Sequence, residues 1–442
     1  MLRDVVLKKI KPTKWEEKIA NDFIRDMVRV AKTISGYDAV VVGSIGKFTW
    51  LHGDHDVDLF MLFPDVERQE LEDKGLAFGK KLANEMKGKF VIKYAEHPYV
   101  HAKINGFSVD IVPCYHIKKN EKIKSAVDRS PLHLEYVLER LDPDLRDDVR
   151  LLKQFCKGIA VYGSDAKRLG FAGYICELLI IRYGSFENVL NAASAWKPGK
   201  VIDIEGIGTA KFSDQPLIII DPVDSKRNVA ANLSCENFMK FVEKAREYMK
   251  KPSKDYFFPK KMSPLSAREI KILKNRETRF IAITMKKPDV IDDTLYPQLR
   301  RAMARLETLF RHNEFIIIRN FEYAEKEMAL IFETEVWKLP VIKKMVGPPI
   351  SSEKHSKEFL SKYKKASVEG DRWVAEKDRD YKTAHQLLKS FIGKKAKELV
   401  AAGIPDNIAK EFVKAKILES DDFWKFVRKN KNISIFLKAK YF

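Results

Sequence analysis

The stretch GSIGKFTWLHGDHDVDLFMLFP, residues 43 to 64, decides the fold. It follows four consecutive apolar residues, 39 to 42, which predict a buried strand that ends at the Gly-Ser pair. Further along come Asp56 and Asp58, on either side of Val57. Side chains two residues apart in a strand point to the same face, so both carboxylates project together while Val57 enters the core.

A third acid, Asp110, has a similar setting. The segment from Phe107 to Val112 alternates, so that Asp110 is an isolated charge on an apolar strand. Neighbouring carboxylates repel each other, and burial increases that cost unless a cation lies between them. Hard divalent ions prefer oxygen ligands, so Asp56, Asp58 and Asp110 are predicted to bind magnesium, with manganese as the alternative.

Three acids behind a Gly-Ser turn suit a two-metal displacement at phosphorus. One ion would lower the pKa of an attacking hydroxyl, and the other would hold a triphosphate and stabilise the leaving pyrophosphate. Gly43 lets the backbone approach phosphate oxygens closely, and Ser44 adds a hydroxyl beside the N–H groups. The segment is not a P-loop, because the first glycine of that motif would fall on Val41 and Phe48 replaces its Ser/Thr.

The ordered set of Gly-Ser, Asp-x-Asp and a later strand acid resembles the nucleotidyltransferase superfamily that contains DNA polymerase beta, poly(A) polymerases and CCA-adding enzymes. Further segments look like the archaeal, class I CCA-adding tRNA nucleotidyltransferases. These are SAVDRSPLH (125–133), VRLLKQFCKGIAVYGSDAK (149–167), FAGYICELLIIRYGSF (171–186), IIIDPVDSKRNVAANLS (218–234) and KKPDVIDDTLYPQLRRA (286–302). The likeness is close up to about residue 235 and loose over the C-terminal tail.

The resemblance implies the reaction and its substrates. Two CTP and one ATP would supply C, C and A to the 3′ end of tRNA without a nucleic-acid template, with two Mg²⁺ ions. The tRNA 3′-hydroxyl would attack the nucleotide α-phosphate and release pyrophosphate. Asp56 and Asp58 would hold both ions, and Asp110 would hold the ion that activates the hydroxyl.

The resemblance also implies the nucleotide-binding residues. Gly43, Ser44 and Lys47 would bind the triphosphate from the Gly-Ser turn, and Arg227 would join the RNA end in choosing between C and A. The remaining contacts to the incoming nucleotide would be Ser130, His133, Lys153 and Tyr162. Lys47, Ser130 and Asp56 stand where the family often has Arg, Thr and Glu.

The predicted fold is α/β (α+β) and multidomain. A polymerase beta-like nucleotidyltransferase head would span residues 1–140, and a mostly helical central neck residues 141–260. The C-terminal tRNA-binding region, 261–442, would hold an RRM-like α+β body at about 275–345, because a β-α-β-β pattern runs from Arg279 to Glu333. A basic tail would follow at about 350–442.

The charge of the chain predicts a polyanionic partner. Lys and Arg number 82 against 62 Asp and Glu, and the segment from Ser351 onward holds 22 against 13. Nucleic acid fits this surplus better than a membrane does, so tRNA is the expected partner, bound at its acceptor stem and 3′ end. In the tail, lysines interleave with Tyr363, Trp373, Phe391 and Trp424, which favours a surface that binds folded RNA. A merely lysine-rich, solvated surface is the alternative.

Compartment and oligomeric state are less constrained. Cys114, Cys156, Cys176 and Cys235 lie far apart, without metal or disulfide spacing, which favours a reducing cytosol. With no apolar segment of signal-peptide length, a cytoplasmic protein that does not bind membranes is expected. A homodimer is left open.

Three alternatives accompany this interpretation. His97 and His101 could be metal ligands, but Pro98 and the alternation around it predict extended chain, so a structural or substrate-facing role is favoured over zinc. Another terminal transferase, such as a poly(A) polymerase, would share the catalytic head. A non-catalytic tRNA-binding factor would have lost a metal carboxylate, whereas all three are present.

Overall fold

The computed structural model describes residues 2–118 and 121–442. The chain forms two compact units, Met1–Lys260 and Lys261–Phe442. The first unit contains the segments predicted as head and neck. Each unit is described by itself.

The head segment is built on a five-stranded sheet with the order β1-β2-β5-β4-β3. Its strands are β1 (Asp38–Val42), β2 (Asp56–Phe63), β3 (Lys89–Tyr94), β4 (Pro98–Ile104) and β5 (Phe107–Tyr115). Strands β2 and β5 run parallel, and the other neighbours are antiparallel. The strands predicted around the Gly-Ser turn are confirmed, and the two that carry acids lie side by side.

Helices α2 (Lys14–Ser35) and α4 (Arg68–Glu85) pack on this sheet. Helix α2 begins after Thr13, whose hydroxyl accepts a hydrogen bond from the Glu16 N–H while the Glu16 carboxylate accepts one from the Thr13 N–H. Its buried Phe23 stacks on Phe107 of β5, with ring centroids 4.3 Å apart. The helices of this part are α1 (Leu2–Ile10), α2 (Lys14–Ser35), the single turn α3 (Gly43–Gly46) and α4 (Arg68–Glu85).

The neck segment surrounds an aromatic core. Phe155 contacts the rings of Phe186, Phe241 and Tyr248 edge-on, and Ser234 caps the last helix. Helix α5 (Arg129–Arg140) ends the head segment, and the neck helices are α6 (Arg146–Gly158), α7 (Gly173–Tyr183), α8 (Phe186–Ala193) and α9 (Cys235–Lys250). Three strands form a small sheet in sequential order: β6 (Lys200–Ile202), β7 (Leu217–Asp221) and β8 (Asp224–Asn228). Single 3₁₀ turns occur at Ala126–Asp128, Pro143–Leu145 and Lys254–Tyr256.

The C-terminal unit contains two antiparallel sheets with the orders β10-β11-β9-β15 and β12-β14-β13. Its strands are β9 (Arg279–Lys286), β10 (Ile316–Ala324), β11 (Glu327–Val336), β12 (Ile342–Pro349), β13 (Ser367–Glu369), β14 (Arg372–Asp378) and β15 (Lys416–Glu419). Its helices are α10 (Ala267–Lys274), α11 (Asp292–His312), α12 (Glu353–Lys362), α13 (Ala384–Ile392), α14 (Ala396–Ala401), α15 (Asp406–Phe412), α16 (Ser420–Lys429) and α17 (Lys431–Tyr441).

The C-terminal unit differs from the predictions in two respects. The large sheet takes its fourth strand, β15, from the segment predicted as a tail, because that strand pairs with β9 along Thr284 to Ile281. Trp424 and Phe391 are buried rather than RNA-facing. Trp424 packs edge-on against Phe280 of β9, since the apolar face of α16 turns toward the sheet.

Two further predictions concern cysteines and membranes. Cys114, Cys156 and Cys176 are buried free thiols, and Cys235 is an exposed one. Over residues 2–118 and 121–442, no helix has the length and apolar character required to cross a membrane.

Candidate active site

The two acid-bearing strands bring their carboxylates to one face of the sheet. Asp58 on β2 lies opposite Asp110 on β5. Asp56 lies opposite Ser108, two residues earlier on both strands. Burial, followed by the negative charges of Asp110 and Asp56, raises the pKa of Asp58 to about 6. The sheet therefore concentrates negative charge at this point.

His101 belongs to this acidic face. It lies opposite Asp110 in the pairing of β4 with β5, and its Nδ1 is 2.5 Å from Asp110 Oδ1. His97 instead lies at the start of β4, buried, with Nδ1 3.0 Å from Glu72 Oε1. The two histidines do not converge on one point, which agrees with the preference for structural or substrate-facing roles over zinc.

The Gly-Ser turn packs directly against Asp58. Gly43 has a φ of +69°, and a Cβ placed on it would stand 2.2 Å from Asp58 Oδ2. Only glycine fits both the left-handed backbone and this close approach. The backbone of the turn thus lies against the acids, where a triphosphate would meet the cations.

A buried ionic cluster lies next to the turn. Lys47 Nζ donates to Glu177 Oε2 at 2.9 Å, and Lys153 Nζ donates to Glu177 Oε1 at 2.9 Å. Thr49 Oγ1 donates to Glu177 Oε1 at 2.6 Å and accepts from Lys153 Nζ at 2.9 Å. Burial alone would raise the pKa of Glu177, but the charges of Lys153 and Lys47 outweigh it and lower that pKa to about 2. The Glu177 carboxylate is therefore ionised, and the side chains of Glu177, Lys47 and Lys153 are almost fully buried.

A second polar cluster joins α5 to the hairpin of β7 and β8. His133 Nε2 lies 2.9 Å from Asp221 Oδ2, and Arg227 Nη1 donates to the same oxygen at 2.7 Å. Burial lowers the pKa of His133, although Asp221 acts in the opposite direction. Tyr174 stacks on His133, with ring centroids 4.0 Å apart. Asp221 thus holds two of the predicted nucleotide contacts in fixed relation to each other.

Nine of the eleven predicted site residues line one cavity of about 510 Å³. Asp56 and Arg227 are not among its lining residues. Asp56 is exposed at the start of β2, and Arg227 donates a hydrogen bond to Asp221, which also contacts the cavity residue His133. The nine are Gly43, Ser44, Lys47, Asp58, Asp110, Ser130, His133, Lys153 and Tyr162. The cavity has the size and the mixed polar and aromatic walls of a nucleotide site.

Several residues of this site were not among those predicted. Tyr174 and Glu177 line the cavity from α7, and Thr49 and Asp221 hold its cations from behind. One signal was available for Glu177, because a single acid within the apolar run from Ile175 to Ile181 requires a buried partner. Its partner Lys47 is 130 residues away, so local pattern could not identify the pair.

The donor set fits divalent metal ions. Asp56, Asp58 and Asp110 offer only carboxylate oxygens, which suit Mg²⁺. Burial, followed by the charges of Asp110 and Asp56, raises the pKa of Asp58, so its ionised form is not fully compensated by nearby cations. Within the part of the chain that the structure describes, no three His, Cys, Asp or Glu side chains already surround a common point. Asp110 instead directs one oxygen to His101.

Family comparisons cover the two units in consecutive segments. The model described as a nucleotidyltransferase domain matches residues 23–133, and the second domain of tRNA nucleotidyltransferase matches residues 147–258. The C-terminal domain of the CCA-adding enzyme matches residues 276–414.

Curated relatives are similar along nearly the whole chain. The CCA-adding enzyme of Methanosarcina acetivorans is 39% identical over 448 aligned residues, which cover 97% of each chain. The CCA-adding enzyme of Methanothermobacter thermautotrophicus is 39% identical over 397, covering 88% of this chain and 87% of the relative. That of Methanocaldococcus jannaschii is 38% identical over 407, covering 88% and 89%.

Proposed function

The chain belongs to the archaeal, class I CCA-adding enzymes, and we propose that it adds C, C and A to tRNA by a two-metal displacement at its three strand carboxylates. The tRNA 3′-hydroxyl attacks the α-phosphate of CTP or ATP, and the bond to the leaving pyrophosphate breaks. The observation that carries the proposal is the single cavity that nine predicted side chains line, in a chain similar throughout to CCA-adding enzymes.

Asp56, Asp58 and Asp110 would hold the ions. Their carboxylates project from neighbouring positions of β2 and β5. Burial and the charges of Asp110 and Asp56 raise the pKa of Asp58, and a bound divalent cation would favour its ionised form. When bound, Mg²⁺ would lower the pKa of the tRNA 3′-hydroxyl and neutralise charge on the triphosphate. His101 supports this assignment, because its contact with Asp110 Oδ1 orients that carboxylate and leaves Oδ2 for other contacts.

The Gly-Ser turn and the buried lysines would bind the triphosphate. Gly43 and Ser44 offer backbone N–H groups and a hydroxyl at the cavity wall, and Lys47 lies at the end of the same turn. Lys153 already donates to Thr49 and Glu177, so it would act mainly through its charge. Tyr162 lines the cavity beside these lysines.

The base and sugar would lie toward the second polar cluster. Ser130 and His133 line the cavity on that side, and Arg227 is held by the Asp221 carboxylate that also contacts His133. A guanidinium in a fixed position can donate two hydrogen bonds to a base edge, which suits a choice between C and A made jointly with the RNA end.

The C-terminal unit would bind the acceptor stem of tRNA. Its large sheet has the order of a β-α-β-β-α-β arrangement, which supports the RRM-like prediction. The surplus of Lys and Arg after Ser351 supports binding through phosphates and shape.

The test uses a tRNA that lacks its last three nucleotides, with Mg²⁺ and CTP, ATP or both, and resolves products to single nucleotides. Two additions with CTP alone and a third only with ATP are expected. Asp110→Asn should abolish addition, whereas Asp38→Asn, an exposed acid on neighbouring β1, should not. A long A-tract would indicate a poly(A) polymerase, and tRNA binding without extension would indicate a non-catalytic factor.

A further inference from the structure

Helix α7 supplies an acid to the nucleotide cavity for which the proposed reaction has no use. Glu177 is 2% exposed, and each of its carboxylate oxygens contacts a different lysine. Lys47 follows the Gly-Ser turn and Lys153 lies on α6, so one carboxylate holds two cations from distant parts of the chain.

The charges of this cluster do not cancel. Two ammonium groups face one carboxylate, which leaves one positive charge beside the Gly-Ser turn. Burying a charge without a partner is costly, and Glu177 reduces that cost while leaving the cluster attractive to an anion. An ammonium group has three donors, and Lys47 directs one to Glu177 while its Nζ lies 4.6 Å from the centre of the Tyr174 ring. A second anion can therefore bind to Lys47 without displacing Glu177.

We propose that Glu177 is a positioning residue for the triphosphate of the incoming nucleotide, because it fixes the ammonium of Lys47, and of Lys153 behind it, at the cavity wall. The inference rests on the proposed function, to which it adds a role for α7. Tyr174, one helical turn before Glu177, contacts Lys47 on its other side and so restricts the same ammonium group.

Two roles for Glu177 predict opposite effects of Glu177→Gln on nucleotide binding: an effect on the net charge of the cavity, and the positioning of Lys47. The substitution removes a negative charge from the cavity, so if attraction alone decided affinity, the KM for nucleotides would fall. If Glu177 positions Lys47, the KM for nucleotides rises, because the lysine loses its charged partner. The rise should be about 10- to 100-fold, the range expected for a lost hydrogen bond between charged groups. CTP and ATP should be affected by the same factor, because both carry the triphosphate, and the KM for tRNA should not change.

The control is Glu187→Gln, which removes an acid from the next helix, α8, where the side chain is half exposed. Its kinetic constants should equal those of the unmodified chain. Arg227→Ala gives the opposite pattern, because a base-selecting residue should change the ratio between CTP and ATP. Melting temperatures of all variants show whether the fold is retained.

If Glu177→Gln does not fold, the double variant Glu177→Gln/Lys153→Met removes a buried cation together with its partner, which is tolerated better than breaking a pair. It should fold, and its KM for both nucleotides should exceed that of Lys153→Met alone, which is the reference because it already lacks one proposed triphosphate contact. A nucleotide KM that is not raised, relative to the unmodified chain for Glu177→Gln or to Lys153→Met for the double variant, would overturn the inference. Different outcomes would refute the proposed function itself: no addition of CMP or AMP by the unmodified chain, or activity that remains in Asp110→Asn.

Discussion

Replacing Gly43 by alanine should inactivate the protein by moving one carboxylate. The new Cβ would stand 2.2 Å from Asp58 Oδ2 and 3.3 Å from its Cγ, whereas ordinary contacts begin at 3.4 Å. The carboxylate or the turn must therefore move by at least 1.2 Å. A displacement of this size at reacting groups costs about 100-fold in rate.

The left-handed backbone at Gly43 would also destabilise the alanine variant, and the experiment needs a control for this effect. Gly43 has a φ of +69°, where an alanine costs about 1–2 kcal/mol in stability whatever surrounds it. Gly53, in the loop before β2, has a φ of +79°, but a Cβ placed there would have no atom within 4 Å. Gly53→Ala is therefore the matched control, because it carries the same backbone strain without the contact to Asp58.

The assay is single-turnover addition of CMP to a tRNA lacking its last three nucleotides, at saturating CTP and Mg²⁺. Both variants should lose similar amounts of thermal stability, and only Gly43→Ala should lose rate, by about 100-fold. Equal rates for the two folded variants would refute the reasoning, since the close approach of Gly43 to Asp58 would then have no bearing on the reaction.

Three further predictions concern buried acids. Asp58→Asn should abolish addition and, in EDTA above pH 6, stabilise the protein by about 3 kcal/mol. The reason is that an acid whose pKa is raised in the folded state destabilises the fold at any pH where it is charged. Unchanged melting temperatures would contradict this prediction. Glu177 has a lowered pKa, so its contribution, about 3 kcal/mol, is present above pH 4.5 and lost as the pH falls toward 2. The free energy of unfolding in urea should depend less on pH across that range for Glu177→Gln than for the unmodified chain. An equal pH dependence would count against the ion pairs of Glu177. In the C-terminal unit, Glu333→Ala should cost about 1.5–3 kcal/mol in stability, because it removes the 2.6 Å hydrogen bond that Arg276 Nε donates to the Glu333 carboxylate. Glu335→Ala, exposed on the same strand, should cost little in the same unfolding measurement.

The parts of this structure that the sequence predicts are those that depend on local periodicity. Alternation in β2 and β5 correctly predicted that Asp56, Asp58 and Asp110 share a face. Contacts between distant segments were not predicted. Trp424 was expected to face RNA because aromatic residues between lysines are common in such surfaces, but the same residue lies on the apolar face of α16.

The resemblance pointed to residues most of which line the cavity, but not to the contacts that hold them in place. Lys153 is predicted to contact the incoming nucleotide, and the structure shows that it also donates to Thr49 and Glu177. A motif records which residue occurs at a position and carries no information on its partner 24 or 130 residues away. The ion pairs that Glu177 and Asp221 make with residues distant in sequence are therefore seen only in the three-dimensional structure.

The contacts that support the cavity show that helix α6 holds the loop after the Gly-Ser turn in place. Arg150 on α6 is buried and donates to the backbone carbonyls of Phe48 and Trp50, so it fixes the loop that follows the Gly-Ser turn. Lys153, one turn later on the same helix, donates to the Thr49 carbonyl between them. Three consecutive residues of the loop thus receive their hydrogen bonds from α6. Thr49 and Trp50 are buried, so α6 supplies the donors that their carbonyls need away from water. The sheet carries the three acids, and α6 holds the loop that follows Lys47.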